Sequence, residues 1–175
     1  FFSKGAIALP EDGIGAIPRQ IAGRFPPKSI RYQEQVVEVS QNSVSLRSGE
    51  KIQASAVVLA TDFEQASLLT NFKGIERDWN SVECLYFKIP QKWLPENKPI
   101  LLLNGEGEGP VNNLSFLSNL TSCAPSGWAL ASATILGRRE ESDGTLVEEA
   151  ITQMKRWFGP EVRYWELLRR YSVSK

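Results

Sequence analysis

The chain has 175 residues, 42% of them hydrophobic, which is enough to bury the core of one domain or of two small lobes. Its 20 basic and 20 acidic residues give a formal net charge of zero. This balance argues against nucleic acid or an anionic membrane as the main partner, because both require clustered positive charge. The absence of histidine excludes Ser-His and Cys-His nucleophilic pairs, the common zinc sites and a histidine base within these residues, so no metal site is expected.

The two cysteines, Cys84 and Cys123, are too few for a disulfide scaffold in a chain of this size. They favour a reducing compartment, the cytoplasm, or the plastid stroma if the source is a plant. Neither cysteine has a Cys-x-x-Cys or histidine partner, so core or surface thiols are favoured over nucleophiles. No apolar run approaches the ~20 residues that a membrane-spanning helix needs.

The first predicted element is a short amphipathic helix. Asp12 can cap it, and its apolar positions Ile14, Ile17 and Ile21 recur at spacings of three and four. Pro18 lies within this pattern, so the regular helix is expected to begin near Ile17. Pro26-Pro27 then ends it.

A β-hairpin or three-stranded meander is predicted next, followed by a buried strand. In the meander, the pairs Val37/Val39 and Val44/Leu46 alternate with polar residues around a turn at Gln41-Asn42, and Ser48-Gly49 forms the second turn. The run from Ala56 to Ala60 is continuously apolar instead of alternating. It predicts a strand covered on both faces, as in a parallel sheet.

After about Phe72 the composition changes to that of a mainly antiparallel sheet with one long helix. Strand-like runs are separated by turns rich in proline and glycine; they span Val82–Ile89, Ile100–Leu103, Val111–Leu117 and Trp128–Leu136. The helix is predicted to begin at Thr145 with a Thr145-x-x-Glu148 capping box and to stop at Gly159-Pro160. Its apolar face is Leu146, Val147, Ala150, Ile151, Met154, Trp157 and Phe158.

An acidic loop rich in glycine, Asn104–Pro110, has the glycine density of a phosphate-binding loop. Glu106 and Glu108 would repel phosphate, however, and the lysine or helix N-terminus that such a loop needs is missing. A mobile turn between strands is the favoured interpretation. A lip facing a substrate is the alternative, and a calcium loop is weaker because two carboxylates are its only hard ligands.

The order of these elements resembles the central part of the flavin-containing amine oxidase and phytoene desaturase superfamily. The matching segments are GAIALP (residues 5–10), Asp12-Gly13-Ile14 with the following helix, Ile30–Val39 and Ala54–Ala60. Downstream, SVECLYFKIP, PILLLNGEGEGPVNNLSFLSNLT and APSGWALASATILG are similar to a cyanobacterial and plant branch of FAD/NAD(P)-binding oxidoreductases. The resemblance covers nearly the whole chain.

This resemblance implies an α+β fold that is an interior fragment of a two-domain FAD oxidoreductase. Residues 1–72 are then part of the FAD-binding lobe, and residues 73–175 are the sheet and helix of the substrate domain. No G-x-G-x-x-G motif follows a strand in this chain. The half of the FAD-binding lobe that binds the phosphates is therefore expected in another part of the same polypeptide, and that part is an expected partner of this chain. Alone, the chain is expected to be inactive and to bind FAD weakly or not at all.

The resemblance also implies three residues at the cofactor, and the alternation of the second sheet adds Tyr86 at the substrate. The backbone N–H and C=O of Val36 are expected to bind the adenine of FAD; the alternative is that Val36 is an ordinary buried strand residue. The turn at Ala60-Thr61 is expected to lie close to the nucleotide. The cavity for a small organic, apolar substrate is expected between the strands at Val82–Phe87 and Trp128–Ile135, with Tyr86 in its wall. The aromatic residues of the chain can line such a pocket as a set, but for each one taken singly core packing is the favoured interpretation.

The implied chemistry is hydride transfer from a bound organic substrate to flavin. The chain departs from the family pattern at two places. Where the family has Gly-Met, this chain has Gly13-Ile14. Some amine oxidases have a lysine near the flavin, and the corresponding position in this chain is near Glu83. These departures argue against amine oxidation and leave desaturation or another dehydrogenation open. No residue pairing identifies a catalytic acid or base. The alternatives are a non-catalytic α+β module that binds a ligand or a protein, and a purely structural interaction domain.

Overall fold

A computed structural model of the chain describes residues 9–70, 80–140 and 142–173. The chain divides into two compact units, a smaller one at Pro18–Asp78 and a larger one made of Phe1–Ile17 and Trp79–Lys175. The domain boundary predicted between residues 72 and 73 lies outside the described residues and stays a prediction. The fold class is confirmed, since antiparallel sheets are combined with helices.

The first helix, α1, spans Ala16–Ala22, close to the predicted start near Ile17. Pro18 is its third residue, where a backbone N–H has no partner within a helix, so the proline costs no hydrogen bond. The helix buries none of its residues. Its predicted apolar stripe, Ile14, Ile17 and Ile21, is exposed to solvent.

The predicted three-stranded meander is confirmed. Its strands are β1 (Val36–Val39), β2 (Ser43–Leu46) and β3 (Lys51–Gln53), and they pair antiparallel in the order β1-β2-β3. The first turn is closed by the backbone N–H of Ser40, which donates to the Ser43 carbonyl at 2.9 Å. The second turn has Gly49 at φ 90°, a conformation that favours glycine. The turn residues therefore set the register, as the sequence pattern indicated.

The predicted strand at Ala56–Ala60 is wrong. These residues belong to no strand or helix, and Val58 is 88% exposed instead of buried on two faces. A continuous apolar run becomes a parallel strand only where neighbouring strands accept its hydrogen bonds. Among the described residues, no strand pairs with this segment. The chain then enters helix α2 (Phe63–Thr70), which Asp62 caps by accepting a hydrogen bond from the Gln65 backbone N–H at 2.9 Å.

The larger unit contains a five-stranded antiparallel sheet with the strand order β5-β6-β7-β4-β8. Four strands confirm the predicted runs, and the fifth was not predicted; they are β4 (Val82–Pro90), β5 (Leu101–Leu103), β6 (Val111–Phe116), β7 (Trp128–Leu136) and β8 (Glu166–Val173). Single 3₁₀ turns lie at Gln91–Trp93, Leu117–Asn119 and Pro160–Tyr164. The missed strand, β8, carries adjacent leucines and adjacent arginines, which hide its alternation.

The long helix, α3, spans Asp143–Phe158 and begins two residues before the predicted start at Thr145. Ser142 is the N-cap, because its hydroxyl accepts a hydrogen bond from the Thr145 backbone N–H at 3.3 Å. The predicted end is confirmed: Gly159 follows the helix with φ 87°, a conformation that a β-carbon disfavours. None of the helices among the described residues is long and apolar enough to cross a bilayer.

The core of the larger unit lies between α3 and one face of the sheet. Leu146, Ala150 and Met154 of α3 are fully buried, as the predicted apolar face requires. They join alternate residues of β4 and β7, namely Leu85, Phe87, Ile89, Ala129, Ala131, Ala133 and Ile135. Phe116, Phe158 and Trp165 extend this core as an aromatic cluster with ring centroids 5.8–5.9 Å apart. The period of two in β4 and β7 thus assigns one face of the sheet to the core.

The side chain of Gln153 on α3 forms two hydrogen bonds with the backbone of Val111, the first residue of β6. Its Oε1 accepts a hydrogen bond from the Val111 N–H at 2.7 Å, and its Nε2 donates to the Val111 carbonyl at 2.9 Å. Both groups are buried, so no water can replace Gln153 when it is removed.

Replacing Gln153 with leucine is therefore expected to lower the free energy of unfolding by about 1–3 kcal/mol, because the buried Val111 N–H loses its acceptor and the Val111 carbonyl keeps only the Asn104 side chain as a side-chain donor. Urea denaturation measures the loss. The control is Glu149→Leu, an exposed position one turn earlier, which is expected to change stability by less than about 0.5 kcal/mol. Equal stability of both variants would contradict the role assigned to Gln153.

Candidate functional site

The face of the sheet opposite α3 carries an open cavity of about 820 Å³. Alternation places the residues of β4 that are not in the core, Val82, Cys84 and Tyr86, on this open face. Strands β7 and β8 supply the rest of the lining, which is Leu130, Thr134, Leu168, Arg169, Tyr171 and Val173. A smaller cavity of about 380 Å³ adjoins it and shares Leu130 and Leu168. The cavity is mainly apolar with a few polar groups, as small-molecule sites usually are.

Strand register places the polar side chains of this face in two rows. Tyr86 pairs with Ser132 on β7 and with Arg169 on β8. Two residues earlier on β4, Cys84 pairs with Thr134 on β7 and with Tyr171 on β8. Residues that pair across an antiparallel sheet point to the same face, so the rows form one polar strip across an apolar cavity.

Tyr86 is held by neighbours on both sides. Its ring meets the ring of Tyr171 edge-on, with centroids 5.6 Å apart and planes at 81°. Beside it, Cys84 Sγ and Ser132 Oγ lie 3.1 Å apart. Burial raises the pKa of the Tyr86 hydroxyl above 10.0, and the neighbouring Cys84 thiol adds to the rise. Tyr86 therefore stays neutral near pH 7, and its hydroxyl forms side-chain hydrogen bonds with Ser132 and Cys84.

Two cations lie on the open face in different environments. Lys88 Nζ is 2.7 Å from Glu166 Oε2 and 4.8 Å from the centroid of the Trp128 ring, so its charge is compensated. The Arg169 guanidinium carbon lies 5.0 Å from the centroid of the Tyr171 ring. Within the described parts of the chain, Arg169 makes no ion pair with a carboxylate.

The residues predicted to contact FAD, Val36, Ala60 and Thr61, all lie in the smaller unit. Val36 opens β1, with a register irregularity directly after it, and is half-buried. Ala60 and Thr61 are exposed and directly precede α2, which lies against β1. In the described structure, the peptide groups of residues 55–61 make no backbone hydrogen bond. The assignment of Val36, Ala60 and Thr61 to FAD stays a prediction.

The acidic loop is a connection between strands, as predicted. It joins β5 to β6 and is organised by Asn104, whose Nδ2 donates to the carbonyls of Glu108 and Val111 at 3.0 Å. The Oδ1 of Asn104 accepts from the backbone N–H groups of Glu106 and Gly107. The Glu108 carboxylate is paired with Arg156 at 2.9 Å. Two backbone N–H groups of the loop are thus already bonded to Asn104, which argues against a phosphate-binding loop.

Sequence reasoning missed the contribution of β8 to the cavity. Arg169, Tyr171 and Val173 alternate with the inward residues Arg170 and Ser172, which is a period-two signal over five residues. The preceding pair of leucines interrupts that signal. Glu83 has a structural role: it is 1% exposed, and its Oε2 contacts Arg170 Nε at 2.9 Å. It lies on the core side of β4, away from the cavity.

Comparison with known proteins identifies the family. Residues 1–172 match the family model described as "Flavin containing amine oxidoreductase". The chain therefore belongs to this family, as its segments indicated. No curated protein matches the sequence.

Solved structures of several enzymes share the fold. A reduced UDP-galactopyranose mutase is 15% identical with a TM-score of 0.69, over 95% of this chain and 40% of that protein. A putative protoporphyrinogen oxidase from Exiguobacterium sp. 255-15 is 14% identical with a TM-score of 0.68, over 93% and 38%. A putrescine oxidase variant is 12% identical with a TM-score of 0.67, over 94% and 39%. The chain thus spans about two fifths of the length of these proteins.

Proposed function

We propose that this chain supplies the substrate cavity and part of the FAD-binding lobe of an FAD-dependent oxidoreductase. The observation that carries the proposal is the open, mainly apolar cavity on the five-stranded sheet, with Tyr86 in its wall. Family membership supports a flavin cofactor, and FAD is the form we propose. The substrate is a small organic molecule with a large apolar part, because the cavity offers few polar groups.

The smaller unit fits the FAD side of this proposal. Among the described residues, the peptide groups of its segment at residues 55–61 make no backbone hydrogen bond, and Val58 is exposed, so further structure can pair with this segment and cover it. We assign the adenine contact to the backbone of Val36, and a nucleotide contact to Ala60 and Thr61. The rest of the same polypeptide completes the lobe, in keeping with the apolar side chains exposed on α1.

When bound, the flavin would supply the hydride acceptor for substrate oxidation. The residues of this chain bind and orient the substrate. Apolar side chains of β4, β7 and β8 exclude water from it, and Tyr86, a neutral donor, orients a polar atom. Both cysteines are free thiols, which fits the cytoplasm or the plastid stroma.

In the full-length protein, Tyr86→Ala is expected to lower substrate turnover at least about tenfold while the flavin content stays unchanged, because a positioning contact is lost. The flavin absorbance band reports cofactor content, and steady-state kinetics report turnover. Glu106→Ala is the control. It removes an exposed carboxylate from the β5–β6 loop and is expected to alter neither quantity.

Three results would contradict this proposal. Loss of flavin in the Tyr86→Ala variant would assign the residue to the cofactor or the core. A turnover defect in Glu106→Ala would move the site to the acidic loop. A full-length protein without any flavin would favour the alternative, a ligand-binding module without catalysis.

A further inference from the structure

Arg169 reaches the open face of the sheet because of a β-bulge. The register between β4 and β8 shifts between Tyr86, which pairs with Arg169, and Phe87, which pairs with Leu167. Leu168 is the extra residue, and both it and Arg169 line the cavity. In a regular strand, Arg169 would share the core face of Leu167. A bulge of this kind redirects a side chain, and here it directs a guanidinium into an apolar cavity.

Among the described residues, the Arg169 guanidinium contacts the Tyr171 ring and forms no ion pair with a carboxylate. Neighbouring cations are paired: Lys88 with Glu166, and Arg170 with Glu83 and Asp143. The described residues that line the cavity include no aspartate or glutamate. Arg169 is exposed to solvent, so its guanidinium is accessible to a ligand in the cavity and can donate charge-assisted hydrogen bonds to an anion.

We propose that Arg169 is a specificity subsite that binds a carboxylate on an otherwise apolar, aromatic substrate. This inference rests on the proposed function of the cavity. The planar fork of arginine matches a carboxylate with two parallel hydrogen bonds. Tyr86 pairs with Arg169 across the sheet and lines the same cavity. The same positive charge repels a substrate whose only charge is an ammonium group.

The test compares two probes of nearly equal shape, 3-phenylpropionate and its uncharged analogue 3-phenylpropionamide. Isothermal titration calorimetry on the full-length flavoprotein measures the binding of each. We expect the acid to bind at least about tenfold more tightly than the amide, the size of one charge-assisted hydrogen bond. Arg169→Met is expected to remove this preference and to leave amide binding unchanged, and Arg169→Lys is expected to retain part of it.

The matched control is Arg156→Met, which removes one positive charge from an exposed position on α3 and is expected to change neither affinity. Equal binding of acid and amide to the unmodified protein would overturn the assignment of Arg169 and leave the substrate cavity standing. So would an equal weakening of both probes by Arg169→Met. If neither probe binds, the proposed substrate cavity fails together with its subsite.

Discussion

Replacing Met154 with aspartate is expected to lower the free energy of unfolding by about 4 kcal/mol or more. Met154 is fully buried between α3 and the sheet, in the cluster that includes Phe87 and Ile135. The substitution removes the apolar contacts of a core methionine, which alone costs about 2–5 kcal/mol, and places a carboxylate where no partner exists. Urea denaturation followed by circular dichroism measures the loss.

Thr152→Asp is the matched control, because it adds the same charge to the same helix at an exposed position. It is expected to change the free energy of unfolding by less than about 0.5 kcal/mol. Similar losses in both variants would mean that α3 does not pack on the sheet by the face described. The comparison therefore tests the central packing contact of the larger unit.

Replacing Arg170 with methionine is expected to cost about 3–5 kcal/mol, because it leaves the Glu83 carboxylate buried without its cation. Glu83 Oε2 also accepts a hydrogen bond from the Ser172 hydroxyl at 2.6 Å, and Arg170 reaches Asp143 at 3.0 Å. The network thus ties β4 and β8 to the start of α3. Arg156→Met is again the control. Its partner Glu108 is exposed, so the expected loss is below about 1 kcal/mol.

The pH dependence of stability gives a second measurement of this network. Arg170 lowers the pKa of Glu83 below its ordinary value of 4.5, and the Ser172 and Arg139 hydrogen bonds act in the same direction. The ionised Glu83 carboxylate therefore makes its full contribution to the free energy of unfolding above pH 4.5. This contribution is lost as the pH falls through the lower pKa of Glu83 in the folded state. Without Arg170 the largest cause of the lowered Glu83 pKa is gone while burial still raises it, so the acid-side loss from this group is expected to shrink. An unchanged acid profile in Arg170→Met would contradict the assignment.

Much of the fold follows from local patterns. The strict alternation in β4 and β7 marks one core face, because side chains of a strand alternate between two faces whatever the partner. The glycines at 49 and 159 mark a turn and a helix end, because their backbone conformations are costly for other residues. The run at Ala56–Ala60 failed as a strand because strand formation depends on hydrogen bonds to other segments.

The sequence by itself determined the α+β class, four of the five strands of the larger sheet and the family resemblance, because these depend on residue order and short-range periodicity. The alternation of β4 also predicts that Tyr86 lies on the face opposite the core, because the side chains of a strand point to only two faces. Only the tertiary structure decided that β8 joins the edge of β4, that Glu83 is buried against Arg170, and that a bulge turns Arg169 into the cavity. Those features depend on the register between β4 and β8, strands whose paired residues lie more than 75 positions apart, and no local pattern in either strand specifies that register.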